Sequence, residues 1–270
     1  MPHRSRKHES ERSWQRSWVH SWVHSWAGTI VSMACTVMVI MAARIAIAEP
    51  YYVPSGSMQP TLLIGDELLA TKFAYGYGTA SLPAFVQLPS SPRILAALPE
   101  RGDVVVFRWP GGESRGIHNG VKRVIGLPGD RIAMHSGRLS INGHAVGLRP
   151  DGIGQAETES GISLPAARFI ETLPGSRTHA ILRLHRPGVD DTMAEVVVPP
   201  GHLFVMGDNR DNSADSRFAV RDGGVGMLPV ENLIGRAETL VASWDMGVKS
   251  QPIWAWPSGL RLSRFFTAIR

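Results

Sequence analysis

The sequence predicts a mainly β protein, with an antiparallel β body, a smaller β subdomain inserted into it, and one transmembrane helix ahead of both. Three observations lead there. Glycine and proline are abundant, 28 and 19 of 270 residues, so turns are frequent. β-prone runs recur between those turns, and no long stretch after Pro50 repeats its apolar residues with a helical period. Before Pro50 the pattern is different, with a basic segment followed by a long apolar one.

Residues 1–26 hold five basic side chains (Arg4, Arg6, Lys7, Arg12, Arg16) against Glu9 and Glu11, which is +3 of the whole chain's net +5. The pI of about 9.8 is therefore mainly a property of the tail, and a nucleic-acid partner is not expected. Trp14, Trp18, Trp22 and Trp26 recur every fourth residue in a Ser-Trp repeat. On a helix they would form one stripe, suited to a membrane interface. His20 and His24 have the i, i+4 spacing of a metal pair, but no third ligand is near.

From Ala27 to Ala43 there is no charge, and up to Ala48 only Arg44 intervenes. As a helix, 27–48 would span about 33 Å, the thickness of a bilayer core. The positive charge ahead of it puts the N-terminus in the cytoplasm and the rest of the chain outside. A competing reading is a removable leader cut after Ala46-Ile47-Ala48. The one cysteine, Cys35, rules out an internal disulfide.

In the body, Asp103–Trp109 and Val121–Ile125 read as strands, the second stopped by Gly126 and Pro128. Leu139–Ile141 and His144–Val146 flank Asn142-Gly143, a pair suited to a type I′ hairpin turn. Residues 79–99 contain four prolines and read as an extended excursion. Residues 133–194, rich in Gly, Ser, Thr and charge, read as the inserted β subdomain. The β body then comprises 49–132 and 195–270.

Three polar segments carry the chemistry. In Val53-Pro-Ser-Gly-Ser-Met-Gln-Pro-Thr-Leu62, Pro54, Gly56 and Pro60 stiffen a loop that projects Ser55 and Ser57. In Asn119–Asp130, Lys122 alternates with apolar neighbours, so partial burial would lower its pKa toward that of a general base; Arg123 stays protonated and cannot serve. Gly207–Arg217 holds three aspartates, two asparagines and two arginines. Asp211, Ser213, Asp215 and Asp222 approximate a calcium-loop spacing without its glycine and final glutamate. The better fit is a self-satisfying loop with Asp215 paired to Arg217 and the Ser213 hydroxyl free to orient a neighbour.

These segments, in this order after an N-terminal apolar span, resemble the bacterial type I signal peptidases, Ser-Lys peptidases of family S26. The matching pieces are Pro-Ser-Gly-Ser-Met-x-Pro-Thr-Leu, Lys-Arg-x-x-Gly-Leu-Pro-Gly-Asp and Gly-Asp-Asn-Arg-Asp-Asn-Ser-x-Asp-Ser-Arg. Gly65-Asp66, Lys72–Gly76, Arg101–Phe107, Gly235-Arg236 and Trp256–Arg264 extend the likeness. The resemblance implies the signal peptidase type of antiparallel catalytic domain. It implies Ser57 as nucleophile, Lys122 as general base, Ser55 and the Ser57 N–H as oxyanion hole, Ser213 as the group orienting Lys122, and Asp215 and Arg217 as support. Val53, Met58, Leu62 and Val121 match positions lining a shallow apolar pocket for small residues such as alanine, immediately before the scissile bond and two residues earlier.

No metal or cofactor is implied. The partners are preprotein signal peptides and the lipid bilayer. A monomer is expected, anchored by a single span in the bacterial inner membrane with its catalytic domain extracytoplasmic. Two departures stand out: Gly120, two residues before Lys122, where the family commonly has a bulkier residue, and the lack of a second span. His118 and His202 leave a Ser-His variant thinkable. Other readings are a conjugation-pilus peptidase, a self-cleaving Ser-Lys regulator, and an anchored binding module, which would not need the three polar residues together. Trp244, Trp254, Trp256, Phe265 and Phe266 suit either bilayer contact or core packing.

Overall fold

The computed structural model describes residues 26, 28–40, 42, 44, 47–82, 92–110, 118–158, 162–184 and 191–270. The Trp14–Trp22 repeat, the His20/His24 pair, Ala46, and residues 83–91 of the 79–99 excursion lie outside the described residues. Two units separate, residues 1–46 and residues 47–270. In the first, the described residues are helical and exposed. Among the described residues no helix is long and apolar enough to cross a membrane. The predicted span also ends earlier than Ala48. Ile47 lies in a turn and Ala48 opens the first strand, where its backbone pairs with Thr71.

In the second unit the described residues form fourteen strands. A seven-stranded sheet takes β1 (Ala48–Tyr52), β2 (Asp66–Thr71), β14 (Leu233–Ser243), β3 (Val104–Arg108), β4 (Asn119–Gly126), β12 (His202–Met206) and β13 (Leu228–Pro229), in that spatial order. Each adjacent pair is antiparallel. β3 carries Val104-Val105-Val106-Phe107, a continuous apolar run, because it lies mid-sheet with both faces covered. One face joins Val104 and Val106 to Val53, Met58, Leu62 and Leu68. The other joins Val105 and Phe107 to Val124, Leu203 and Val205. Each such buried aliphatic or aromatic side chain contributes roughly 1.5–3 kcal/mol.

Between β4 and β12 the chain leaves this sheet and returns. β5 (Arg131–His135), β6 (Arg138–Ile141), β7 (His144–Ala145) and β11 (Met193–Val197) form one small sheet; β8 (Gly147–Glu157), β9 (Ser163–Thr172) and β10 (Thr178–Arg183) form another. The excursion thus starts two residues before the expected 133 and ends after 194. It shares its core with the main sheet, since Ile132, Met134 and Leu139 pack with Ile125 and Phe204. Asn142 and Gly143 have φ of 54° and 79°, the left-handed turn expected of the pair, and Ile141 faces His144 across it.

Within 79–99, Thr79–Ser81 is a short 3-10 turn, and Tyr77 bridges to Ile94. At the far end of the chain Trp254 is 81% and Phe266 78% exposed, so these two rings are not core.

Candidate active site

The register of β4 sets the site. β12 pairs with β4 only from Gly126 to Arg123, so the strand runs past the end of its neighbour at Asn119–Lys122. Ser57 occupies a 3-10 turn, Gly56–Met58, all three residues of which are buried. Lys122 Nζ lies 2.8 Å from Ser57 Oγ and donates also to Val121 O at 3.1 Å. Among the described residues no carboxylate forms an ion pair with it. Lys122 is 4% exposed, and burial pushes its ammonium down to about 8; Asp215 and Asp208 pull the other way, and Arg217 adds to the lowering. The Trp109 ring centroid is 5.8 Å from the same nitrogen.

The turn is held from behind. Asn209, fully buried, donates its backbone N–H to Ser57 O at 3.1 Å and its side-chain Nδ2 to Gly56 O at 3.0 Å. A side chain at Gly207 would meet Ser213 Oγ at 2.3 Å and Ser57 O at 2.4 Å, so that close approach requires glycine. The turn's own hydrogen bond runs from Gln59 N–H to Gly56 O and leaves the Ser57 N–H outside it. The Ser55 hydroxyl stands 3.5 Å from Ser57 Oγ.

Asp215 is fully buried and ion-paired to Arg217, Oδ1 to Nε at 2.9 Å and Oδ2 to a terminal nitrogen at 3.0 Å; Oδ2 also accepts Gly207 N–H. Burial alone would raise this carboxyl, but Arg217, Gly207 and the Ser213 hydroxyl outweigh it and keep it below its ordinary value. Ser213 Oγ is itself buried without a hydrogen bond of good geometry, and none joins it to Lys122. In the calcium-like spacing, Asp211 lies against Arg183 and Asp222 is exposed beside Arg221.

A groove of about 350 Å³ opens over the dyad, lined by Tyr51–Ser55, Ser57, Leu68, Val106, Trp109 and His118–Lys122. Val53 and Val121 are among its lining residues. Met58 and Leu62 do not: both are 0% exposed and belong to the core cluster behind the groove. They follow Ser57 on a turn that carries its apolar side chains inward. Tyr51, Tyr52 and Trp109 take the lining positions instead. His118 stacks on Trp109 at 5.4 Å, while His202 bonds Pro200 O near the β12 start, outside the groove lining.

A larger cavity, about 480 Å³, lies around Arg123, Arg177 and Arg236. It contains no serine, and three of its arginines are ion-paired: Arg123 with Asp208, Arg177 with Asp103 and Glu100, Arg236 with Glu238. Of the two, the smaller groove is the one lined by both Ser57 and Lys122.

Sequence reasoning missed the ionic layer beneath the dyad. Arg123 is bidentate on Asp208 at 2.8 and 2.7 Å. Glu171, from β9, takes both terminal nitrogens of Arg210 and lies 3.3 Å from His179. Burial raises Glu171, yet Arg210 and His179 together bring it down to about 2. The polar Gly-Asp-Asn-Arg run signalled Asp208, Asn209 and Arg210. Nothing local to Glu171 or His179 marked them: they face each other across β9 and β10, and their other partners, Arg210 and Asp208, lie in the Gly207–Arg217 loop.

The family profile described as "Signal peptidase, peptidase S26" matches residues 25–244. Among curated relatives, a protein named "Signal peptidase I" from Rickettsia massiliae is 37% identical over 261 residues, covering 88% of this chain and 90% of its own. Another of that name from Rickettsia rickettsii is 37% identical over 257 residues, with 87% and 90% covered. The crystal structure of a signal peptidase I from Enterococcus faecalis aligns with 52% of this chain and 97% of its own at 23% identity, with a TM-score of 0.29.

Proposed function

The chain belongs to the signal peptidase I family, serine peptidases of family S26, and from that premise we propose that it removes N-terminal signal peptides from exported preproteins through a Ser57–Lys122 dyad. One observation carries the reading. A lysine buried 2.8 Å from a serine hydroxyl, with no carboxylate in ion-pair contact among the described residues and its pKa lowered to about 8, can act as a base just above neutral pH.

In the first step Ser57 Oγ attacks the scissile carbonyl while neutral Lys122 takes its proton. The developing oxyanion would be met by the Ser57 N–H and the Ser55 hydroxyl, donors of the kind typically worth a few kcal/mol each in the transition state. As the tetrahedral species collapses, the Lys122 ammonium returns the proton to the leaving amine, which departs with the mature chain. The signal peptide stays as an ester on Ser57. Water then attacks that ester with Lys122 again as base, freeing the carboxylate and restoring the dyad. Ser213 is assigned to orienting Lys122, and Asp215 and Arg217 to keeping its loop in place. Val53 and Val121, apolar walls of a shallow groove, support a preference for small residues at Ala-x-Ala-type sites.

The +3 tail and the apolar run of 27–48 support a single membrane anchor with the N-terminus in the cytoplasm and the catalytic unit outside. The test is cleavage of a preprotein carrying an Ala-x-Ala site by the purified full chain. Ser57→Ala and Lys122→Ala are each expected to abolish it, and retained cleavage in either overturns the dyad.

A further inference from the structure

Gly120 and Trp109 occupy one space between them. Gly120 pairs with Phe107 across β3 and β4 and lies two residues before Lys122, on the same face of the strand. A Cβ built on Gly120 would meet Phe107 Cζ and Trp109 Cε3, each at 2.8 Å, closer than real side chains approach. The space beside the catalytic lysine is therefore already filled, by rings contributed from the neighbouring strand and its extension. Trp109 is fixed there between Phe107 and His118, with centroids at 5.8 and 5.4 Å and interplanar angles of 28° on both sides. Its backbone N–H is tied to His118 O at 3.0 Å. Yet it is only half-buried, and it forms part of the groove wall together with Val53, Val106 and Val121.

We propose that Trp109 is a specificity-determining residue, a rigid wall that stands in for the side chain Gly120 lacks and limits the substrate side chain admitted beside Ser57 and Lys122 to a small one. The inference rests on the dyad reading. A stacked indole is a firmer wall than an aliphatic chain at the same place, because moving it breaks two ring contacts. In an apolar groove one added methylene is worth about 10- to 200-fold in kcat/KM.

The experiment uses the full-length protein and a peptide series with Ala, Val or Leu immediately before the scissile bond, and a second series varied two residues earlier. Trp109→Ala is expected to raise the Leu-to-Ala ratio of kcat/KM by on the order of tenfold or more in one of the series. Gly120→Leu, which must displace the ring, is expected to cut cleavage of every peptide. Combining Gly120→Leu with Trp109→Ala should recover Ala-peptide cleavage above the Gly120→Leu level, since the new side chain then enters the vacated space. This double variant carries the test even if Trp109→Ala does not fold. An unchanged ratio in a folded Trp109→Ala protein, or a double variant no better than Gly120→Leu, overturns the proposal while leaving the dyad intact. Persistent cleavage by Lys122→Ala removes the dyad reading, and this inference with it.

Discussion

Lys122 and Arg123 are consecutive on β4, both cationic by type and both nearly sealed from solvent, at 4% and 1% exposure. They face opposite sides of the sheet and meet opposite surroundings. On the Arg123 side Asp208 supplies a bidentate carboxylate and Gly102 O accepts at 2.8 Å. On the Lys122 side the contacts are a hydroxyl, a carbonyl and an indole. Burial is thus common to both. What differs is the partner, and the partner decides whether a buried cation is structural or able to give up its proton.

The sharpest way to break this comparison is Lys122→Arg, which keeps the charge and removes the ability to lose it. Peptide cleavage is expected to fall by roughly 10³-fold or more, as far as with Lys122→Ala. Near-normal turnover in single-turnover kinetics would mean that Lys122 does not act as a base.

Stability should divide the same two residues with opposite sign. Arg123→Met leaves Asp208 buried and unpaired, at a cost of about 3–5 kcal/mol. Lys122→Met strands no carboxylate and removes a group whose burial disfavours folding. At pH 7 it is expected to stabilise by about 1–3 kcal/mol. Urea denaturation of both variants checks the pair.

The pH dependence follows from the same asymmetry. Lys122 titrates at about 8 when folded, below its ordinary 10.5, so kcat/KM should climb roughly tenfold per pH unit below about 8 and then level. The folded state binds fewer protons than the unfolded one between about 8 and 10.5, so stability gains with rising pH across that window, and Lys122→Met should lack the gain. A rate profile flat from pH 6 to 8 would contradict the assignment.

The smallest effect is expected where the two sides join, at Asn209. Asn209→Ala removes the Nδ2 bond to Gly56 O, for about 1–2 kcal/mol of stability, and lets the nucleophile's turn drift. Because it touches no substrate, kcat should drop more than KM rises. Asn209→Asp should not rescue it, since a carboxylate cannot donate to Gly56 O. An equal effect in KM alone would place Asn209 in substrate binding instead.

Much of this arrangement was legible before any coordinates. Asp103–Trp109 read as a strand because its residues are strongly β-prone. Asn142-Gly143 read as a turn because few other pairs accept left-handed backbone twice. Ser57 on its stiff loop and Lys122 amid apolar neighbours were singled out by the resemblance of their segments to the Ser-Lys peptidases, the loop and strand alone being equally open to a plain turn and a surface lysine. Met58 and Leu62 were misread as groove residues, since an apolar residue next to a nucleophile looks the same in sequence whether it faces substrate or core. Trp109 gave no signal of its own, and its role depends on the absence of a side chain eleven residues away.

By itself the sequence determined the strands, the turns, the residue types of the site and the charge step ahead of the apolar run, all of them consequences of neighbours along the chain. Tertiary structure alone decided that the pairing of β12 with β4 stops at Arg123, that Asn209 clamps the carbonyls of Gly56 and Ser57, and that Glu171 and His179 join the ionic layer beneath. Those facts turn on strand register and on which groups share a buried space. Local propensity carries no record of either, because the energy of a buried charge is set by what folding brings beside it.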